Sequence, residues 1–448
     1  MKRILLLALA LAKTVILGMR IEGDSIVLAV RPHKRERLRC PICGARCDAY
    51  DRKASPRRWR ALDIGQSMCF LEFSPCRVRC REHGVHVEGV PWARPRSRFT
   101  RPFEDWVAWM AVHCTVSAVA EASRVEWHSV GGICARVYAD LEAARGSGRF
   151  EGLRRIGIDE TSYKKGHRYL TVVVDHDRGC LIWAHEGWGK DVLNLFLNEL
   201  TREQRRSIEV VTADGARWIR DLAKRRCPNA QWVMDPFHVV SWMNDALDSL
   251  RREEWQIAKK AARAAAPARR RGPGRPPKGE GASAEAKSLK AEADAIKGSR
   301  FALAKGKENL SSAQKEKIGE LKRAGSRLFR AWELKEDLRA VFMADDAVEA
   351  KALLDDWIWR AGHSKIDKVV EVEKKVRRRR EDIVRAVELN IGNARVEAIN
   401  NKIKVTVKMA YGFRNTDNMI ALLMLRCSDV EPQLPWRQKE SSKEKMVA

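Results

Sequence analysis

The chain has 448 residues, 45% of them hydrophobic, which is ordinary for a globular protein and enough for about three domains at roughly 150 residues each. Lys and Arg number 86 against 59 Asp and Glu, a net charge of +27 that points to a polyanionic partner, nucleic acid first and an anionic membrane surface second. The 11 cysteines are odd in number and scattered, which excludes a disulfide-stapled secreted domain and leaves thiols for metal binding.

The N-terminal stretch "MKRILLLALALAKTVILG" has the cations and apolar run of a signal peptide, but Lys13 interrupts it and the run is too short to span a bilayer. It reads as a buried helix or as residues added by an upstream start codon. Residues 20–32 read as a β-hairpin turning at Gly23-Asp24, with Ile26, Leu28 and Val30 alternating.

A Cys-rich, basic, strand-like region follows. It carries Cys40-x2-Cys43 ("CPIC") and Cys80-x2-His83 ("CREH"). Each short loop can set two ligands on one side of a tetrahedral ion, so the pair reads as a structural zinc site with all four positions filled. The competing reading is buried cysteines acting as small hydrophobes, with Cys47 and Cys76 as nearby spare ligands.

Three helical segments come next. Phe103, Val107 and Met110 share a face of the first, "SAVAEASRV" is the short second, and Val130, Ile133 and Val137 mark the third. Two short helices before a longer one fit a helix-turn-helix, whose third helix would enter the major groove with Trp127, His128 and Ser129 near its start. An ordinary three-helix packing unit is the alternative.

From Arg154 to about Trp242 the pattern is strand, strand, strand, helix, strand, helix, strand. The first apolar run, Ile156–Ile158, stops at Asp159, which is read as the end of that strand; Glu160 points away from Asp159 if the strand persists. A later run, Ile208–Val211, leads to Asp214 before a helix. A distant helix, "NARVEAINNKIK", puts Asn393, Glu397, Asn401, Lys404 and Lys408 on one polar face and Val396, Ile399, Ile403 and Ala410 on the apolar one. Two Asp at strand tips and a helical Glu can converge on a pair of Mg²⁺ ions, which take hard oxygen ligands and can activate an oxygen nucleophile against a phosphodiester.

Around these lie lesser candidates. In "MDPFHVV", Asp235 and His238 are three residues apart at a strand–helix junction: an auxiliary pair beside the carboxylates, or simply a helix start capped by His238. His167 and Arg168 are candidate phosphate contacts, and Asp175 and Asp177 read as turn residues. From Asn244 the chain is helical and charged, interrupted by a Pro/Gly/basic stretch over 265–290 in which "GRP" at Arg275 resembles the core of an AT-hook. Trp357 and Trp359 are read as core, the alternative being that an unpaired end base stacks on one of them.

Together these motifs resemble bacterial insertion-sequence transposases of the ISL-three family. The resemblance rests on "CPICGARCDAYDR", "VRCREHGV", "IGIDETSYKKGHRYLTVVVDHDRG", "TADGARWI", "DPFHVV" and "NARVEAINNKIK", and covers nearly the whole chain. It implies a multidomain α/β protein: an N-terminal segment with a zinc-binding β module (1–98), a helix-turn-helix (99–148), and a ribonuclease H-like mixed-sheet core (149–243). That core is interrupted by a helical insertion (244–385) and completed by the Glu helix (386–430), with a tail over 431–448. It implies Asp159, Asp214 and Glu397 as a catalytic triad holding two Mg²⁺, and Cys40, Cys43, Cys80 and His83 as ligands of a structural zinc. It also implies double-stranded DNA as partner, no membrane, at least a dimer when two element ends are paired, and a nucleoid-associated place in the bacterial cytoplasm. A catalytically inactive, DNA-binding regulator of the same descent is the alternative. Ala398 stands where the family pattern leads one to expect Gly; a helix accepts Ala more readily.

Overall fold

The computed structural model describes residues 2–51, 55–213, 216–265 and 283–437. The chain divides into two compact units, one built from 1–152, 160–196 and 398–448, the other from 153–159 and 197–397.

The N-terminal apolar run is not one buried helix. It splits into α1 (Lys2–Ala8), largely exposed, and strand β1 (Thr14–Glu22). Ala10 at φ +50 and Lys13 at φ +53 lie between helix and strand, and the β-branched pair Thr14-Val15 starts β1. β1 pairs antiparallel with β2 (Ser25–Pro32) through the turn at Gly23. The small strands β3 (Asp48–Asp51), β4 (Arg57–Ile64), β5 (Ser67–Phe73), β6 (Arg77–Cys80) and β7 (Gly84–Val87) complete two sheets, ordered β1-β2-β5-β4 and β3-β6-β7.

Helices α2 (Arg101–His113), α3 (Val116–Ser123) and α4 (Trp127–Arg145) follow. Thr115 caps α3 by accepting the Ala118 N–H at 3.3 Å, and Arg124 in the left-handed region ends it, so the chain turns sharply into α4. Phe103, Val107, Val119, Val130, Ile133 and Val137 make the core between them, the apolar spacing noted above.

The central sheet is formed by β8 (Arg155–Lys164), β9 (Arg168–Asp175), β10 (Cys180–Glu186), β11 (Val210–Ala213) and β12 (Gln231–Met234), in the order β10-β9-β8-β11-β12. β9 and β10 are antiparallel, whereas β8, β11 and β12 run parallel. The near-continuous apolar runs of β9 and β11 are those of strands buried on both faces. Helices α5 (Lys190–Glu199), α6 (Arg202–Ser207) and α7 (Arg217–Arg226) make the crossovers.

After β12 comes α8 (Pro236–Ala264), which runs unbroken through Asn244 because nothing after Pro236 interrupts it. Then follow α9 (Ala284–Gly298), α10 (Arg300–Ala304), α11 (Ser312–Arg323), α12 (Arg327–Val341), α13 (Ala347–Gly362), α14 (Asp367–Arg377) and α15 (Arg380–Glu388), gathered round a core centred on Leu250, Leu328, Leu338, Leu354 and Trp357. Trp357 is fully buried and donates its indole N–H to the Leu334 carbonyl at 2.6 Å, but Trp359 is 63% exposed. Two residues on a helix lie about 200° apart, so only one of the two tryptophans can face that core. The chain ends with α16 (Ala394–Met409) and α17 (Thr416–Cys427).

Candidate functional site

The parallel strands pair along a common row, at which β11 and β12 end. Ile158 on β8 stands opposite Ala213 on β11, and Ala213 opposite Met234 on β12. In the sequence, each of these three residues is followed by an aspartate: Asp159, Asp214 and Asp235. Asp214, and with it the middle position of the row, lies outside the described residues. Asp159 does not end its strand as its sequence suggests. β8 continues to Lys164, and what ends beside Asp159 is the neighbouring β11. Strand alternation then sends Asp159 and Glu160 to opposite faces, and Glu160 is held by the Gly189 N–H at 2.8 Å.

Glu397 sits in the first turn of α16, exposed, with its own N–H on the Asn393 carbonyl at 2.8 Å. Asn393 is not on an exposed polar face with Glu397; it is buried, and its Oδ1 accepts the Thr212 hydroxyl at 2.5 Å. Thr212 is two residues before Asp214, so this bond ties the start of the Glu397 helix to the strand that leads to Asp214. Neither Thr212 nor the role of Asn393 stood out in the sequence, because a Thr in an apolar strand and an Asn before a helix are each common. The rest of the α16 reading holds: Val396, Ile399, Ile403 and Ala410 are buried, while Asn401, Lys404 and Lys408 are exposed.

Asp235, not His238, caps α8, accepting the Phe237 N–H at 3.2 Å. His238 cannot cap this helix because it already lies in its first turn; its Nε2 is 3.8 Å from the Asp235 carboxylate, just beyond hydrogen-bond reach. Burial pushes the Asp235 carboxyl up, and the negative charge of Glu397 adds to that, against the pull of the Phe237 and Asn393 amides and His238. Glu397 and Asp235 therefore feel one another. Among the described residues, Asp159, Asp235 and Glu397 do not form a metal-ligating cluster; the one that does is the Cys/His set.

The Cys/His motifs converge in space. The ligand atoms of Cys40, Cys43, Cys80 and His83 all lie within 4.8 Å of one another. Cys43 and Cys80 sulfurs are 3.7 Å apart, and His83 Nδ1 is 3.5 Å from Cys80 and 3.9 Å from Cys40. A tetrahedral zinc with its usual bond lengths demands edges of about 3.8 Å between sulfurs and about 3.6 Å between sulfur and nitrogen. The set therefore fits the ion. The His83 ring also holds the Cys80 thiol down at about 6, which favours the thiolate that zinc needs. The other two cysteines have different duties. Cys47 turns its thiol to the Ala45 carbonyl. Cys76 is buried against Glu88, whose carboxylate also accepts the Leu38 and Cys76 N–H groups at 2.9 Å and so pins both ends of the module.

Trp127, His128 and Ser129 form the first turn of α4; Trp127 and His128 are exposed and Ser129 is half-buried. His167 takes the left-handed conformation in the β8–β9 turn, and Arg168 pairs with Glu186 at 3.0 Å. Asp175 is a turn residue, accepting the Asp177 and Arg178 amides. Arg275 lies outside the described residues. Among the described residues no helix is long and apolar enough to cross a membrane.

A Cys₃His cluster of zinc-binding geometry, a three-helix unit and a mixed sheet with parallel strands define a multidomain α/β zinc protein, and similarity to known proteins specifies it further. Residues 156–423 match a family model described as a transposase, 88–138 the helix-turn-helix domain of transposase family ISL3, and 36–83 the zinc-finger of the IS204/IS1001/IS1096/IS1165 transposases. The chain is 42% identical over 416 residues to the transposase for insertion sequence element IS1557 of Mycobacterium tuberculosis, covering 93% of this chain and 91% of that one. It is 25% identical over 397 residues to the transposase for element IS1001 of Bordetella parapertussis, covering 88% and 90%. The chain belongs to the ISL3 family of transposases.

Proposed function

We propose that this chain is an active Asp-Asp-Glu transposase that binds the terminal inverted repeats of its element and carries out Mg²⁺-dependent DNA cleavage and strand transfer on a ribonuclease H-like core. The observation that carries this reading is the row Ile158–Ala213–Met234, with an acidic residue next in sequence on every strand and the Glu397 helix tied to the middle strand through Thr212 and Asn393.

In this reading Asp159, Asp214 and Glu397 hold two divalent cations. Bound there, the ions supply Lewis-acid stabilisation of the phosphodiester and a more acidic nucleophilic oxygen. Asp159 contributes a carboxylate fixed on a rigid strand, and Asn393 fixes the register of Glu397. Asp235 holds an exchangeable proton beside the site, since burial and then Glu397 disfavour its anion, and His238 is its auxiliary neighbour on α8. Lys404 and Lys408 lie roughly two and three turns beyond Glu397 on its exposed side, placed to take the DNA backbone leading away. His167 and Arg168, at the β8–β9 turn, are further candidate phosphate contacts. The first turn of α4, with Trp127, His128 and Ser129, reads the repeat in the major groove; the zinc module of 1–98 supports that helix unit, and Arg275 adds a minor-groove contact. Two chains pair the two ends.

The test is a supercoiled plasmid carrying both element ends, incubated with wild type or Glu397→Gln in Mg²⁺ and in Ca²⁺. Cuts at the repeat ends and joined products are expected from the wild type in Mg²⁺ alone. Specific binding with no cutting by the wild type moves the assignment to a DNA-binding regulator.

A further inference from the structure

The run Lys374–Arg380, "KKVRRRR", holds six cations in seven positions, and the structure sorts them. Arg377 is engaged by Glu373 at 2.5 Å and Arg380 by Asp355 at 2.6 Å, so both serve the fold. Lys375, Arg378 and Arg379 instead line a cavity of about 520 Å³ together with Arg220, Asp221 and Trp242. Among the described residues, neither Lys375 nor Arg378 has an acidic partner; Arg378 donates only to the Lys374 carbonyl. Arg220 reaches Asp382 at 3.7 Å, yet its Nε is buried with no hydrogen-bond acceptor. The Trp242 ring carries Lys375 at 5.8 Å and Arg379 at 5.5 Å, which aims two cations rather than leaving an open face for a base.

Lys375 and Arg378, which have no acidic partner among the described residues, share with Arg220 and Arg379 a concave wall in which the field is focused rather than dispersed; the acids there are Asp221 in the lining and Asp382 on Arg220. The fold keeps those two cations in place while pairing Arg377 and Arg380 with acids. The complement of that wall is a compact anion with several acceptor oxygens, such as a phosphate, which arginine forks and a lysine point charge bind together. The location narrows the source. Trp242 is seven residues after Asp235 on α8, about 10 Å along the helix from the carboxylate edge. A DNA strand advances about 3.4 Å per nucleotide, so that distance spans about three.

We infer that this cavity binds a DNA backbone phosphate about three nucleotides from the phosphodiester that is cut, an assignment that rests on the transposase reading above. The experiment uses the full chain and duplexes of the element end carrying one neutral methylphosphonate at successive positions. The wild type is expected to lose affinity roughly tenfold at one position about three nucleotides from the cut. Lys375→Ala/Arg378→Ala is expected to bind unmodified DNA roughly tenfold or more weaker, with a shallower salt dependence, and to be indifferent to that same methylphosphonate. Lys368→Ala, which removes one charge on α14 outside the cavity, keeps the wild-type pattern. A double variant with wild-type affinity and interference overturns the cavity assignment alone. A wild type that neither prefers element-end DNA nor cuts it overturns the transposase reading and the assignment with it. Should the double variant fail to fold, the wild-type scan decides: no sensitive position within about five nucleotides of the cut removes the phosphate site.

Discussion

At the scale of single residues, the site depends on a few buried polar contacts far apart in sequence. Thr212 and Asn393 are 181 positions apart, and each is almost fully buried. Thr212→Val leaves the Asn393 amide without its donor, so a loss of about 1–3 kcal/mol in denaturant unfolding is expected, together with weaker cleavage, since Glu397 loses its anchor. Asp235 gives a pH signature. Its folded pKa is raised, chiefly by burial and then by Glu397, so its contribution favours folding below the unfolded value of about 3.9 and is lost as pH rises through the folded value. Asp235→Asn keeps an N-cap and removes that penalty. The stability of the variant relative to wild type should therefore increase as pH climbs from below about 4 towards neutrality, measured by urea melts without Mg²⁺; a pH-independent difference contradicts the burial argument. The strand before Asp159 was legible because an apolar run is a local pattern, although the strand does not stop at the acid. The Thr212–Asn393 bond was not, because no local pattern announces a contact between distant residues.

At the scale of elements, the periodicities gave the right parts and missed some ends. The three helices around Phe103, Val130 and Val137 were readable from spacing. The length of β8 was not: Asp159-Glu160 looks like a terminus, but it marks where a parallel neighbour stops while the strand goes on. The Cys/His module was readable because its ligands come in two short loops, each locally recognisable. Its strands β3, β6 and β7 have only four residues each and little apolar interior, so the metal supplies much of its stability. One zinc per chain is expected by elemental analysis. Cys43→Ala or Cys80→Ala should release it and raise amide exchange in β3, β6 and β7, while β9 and β11 stay protected. Equal protection with and without zinc would contradict a structural ion. The exposed first turn of α4 makes a different prediction. Trp127→Ala/His128→Ala should leave thermal stability nearly unchanged and weaken binding to the element end by about 1–3 kcal/mol, read by gel shift against a random duplex; equal loss on both duplexes would deny it a role in sequence reading.

At the scale of the whole molecule, a charge of +27 has one plain consequence: association with DNA should be dominated by counterion release. If each chain covers six to ten phosphates, affinity should fall by about 10³–10⁵ between roughly 50 and 200 mM salt. A flat salt dependence would contradict a DNA contact built on that charge. Charge, however, supports a regulator as readily as an enzyme, and the distinction lies in the strand edge. The decisive measurement is plasmid cleavage at the element ends in Mg²⁺ by wild type, Asp159→Asn and Glu160→Gln, with end binding measured in parallel. The two substituted residues are adjacent in sequence but face opposite ways, and Glu160 is already engaged by Gly189. The account predicts that all three proteins bind the ends, that Glu160→Gln cuts like the wild type, and that Asp159→Asn loses cleavage by about a thousandfold or more. Undiminished cutting by Asp159→Asn would contradict it, and would make that carboxylate a strand residue with no part in the chemistry.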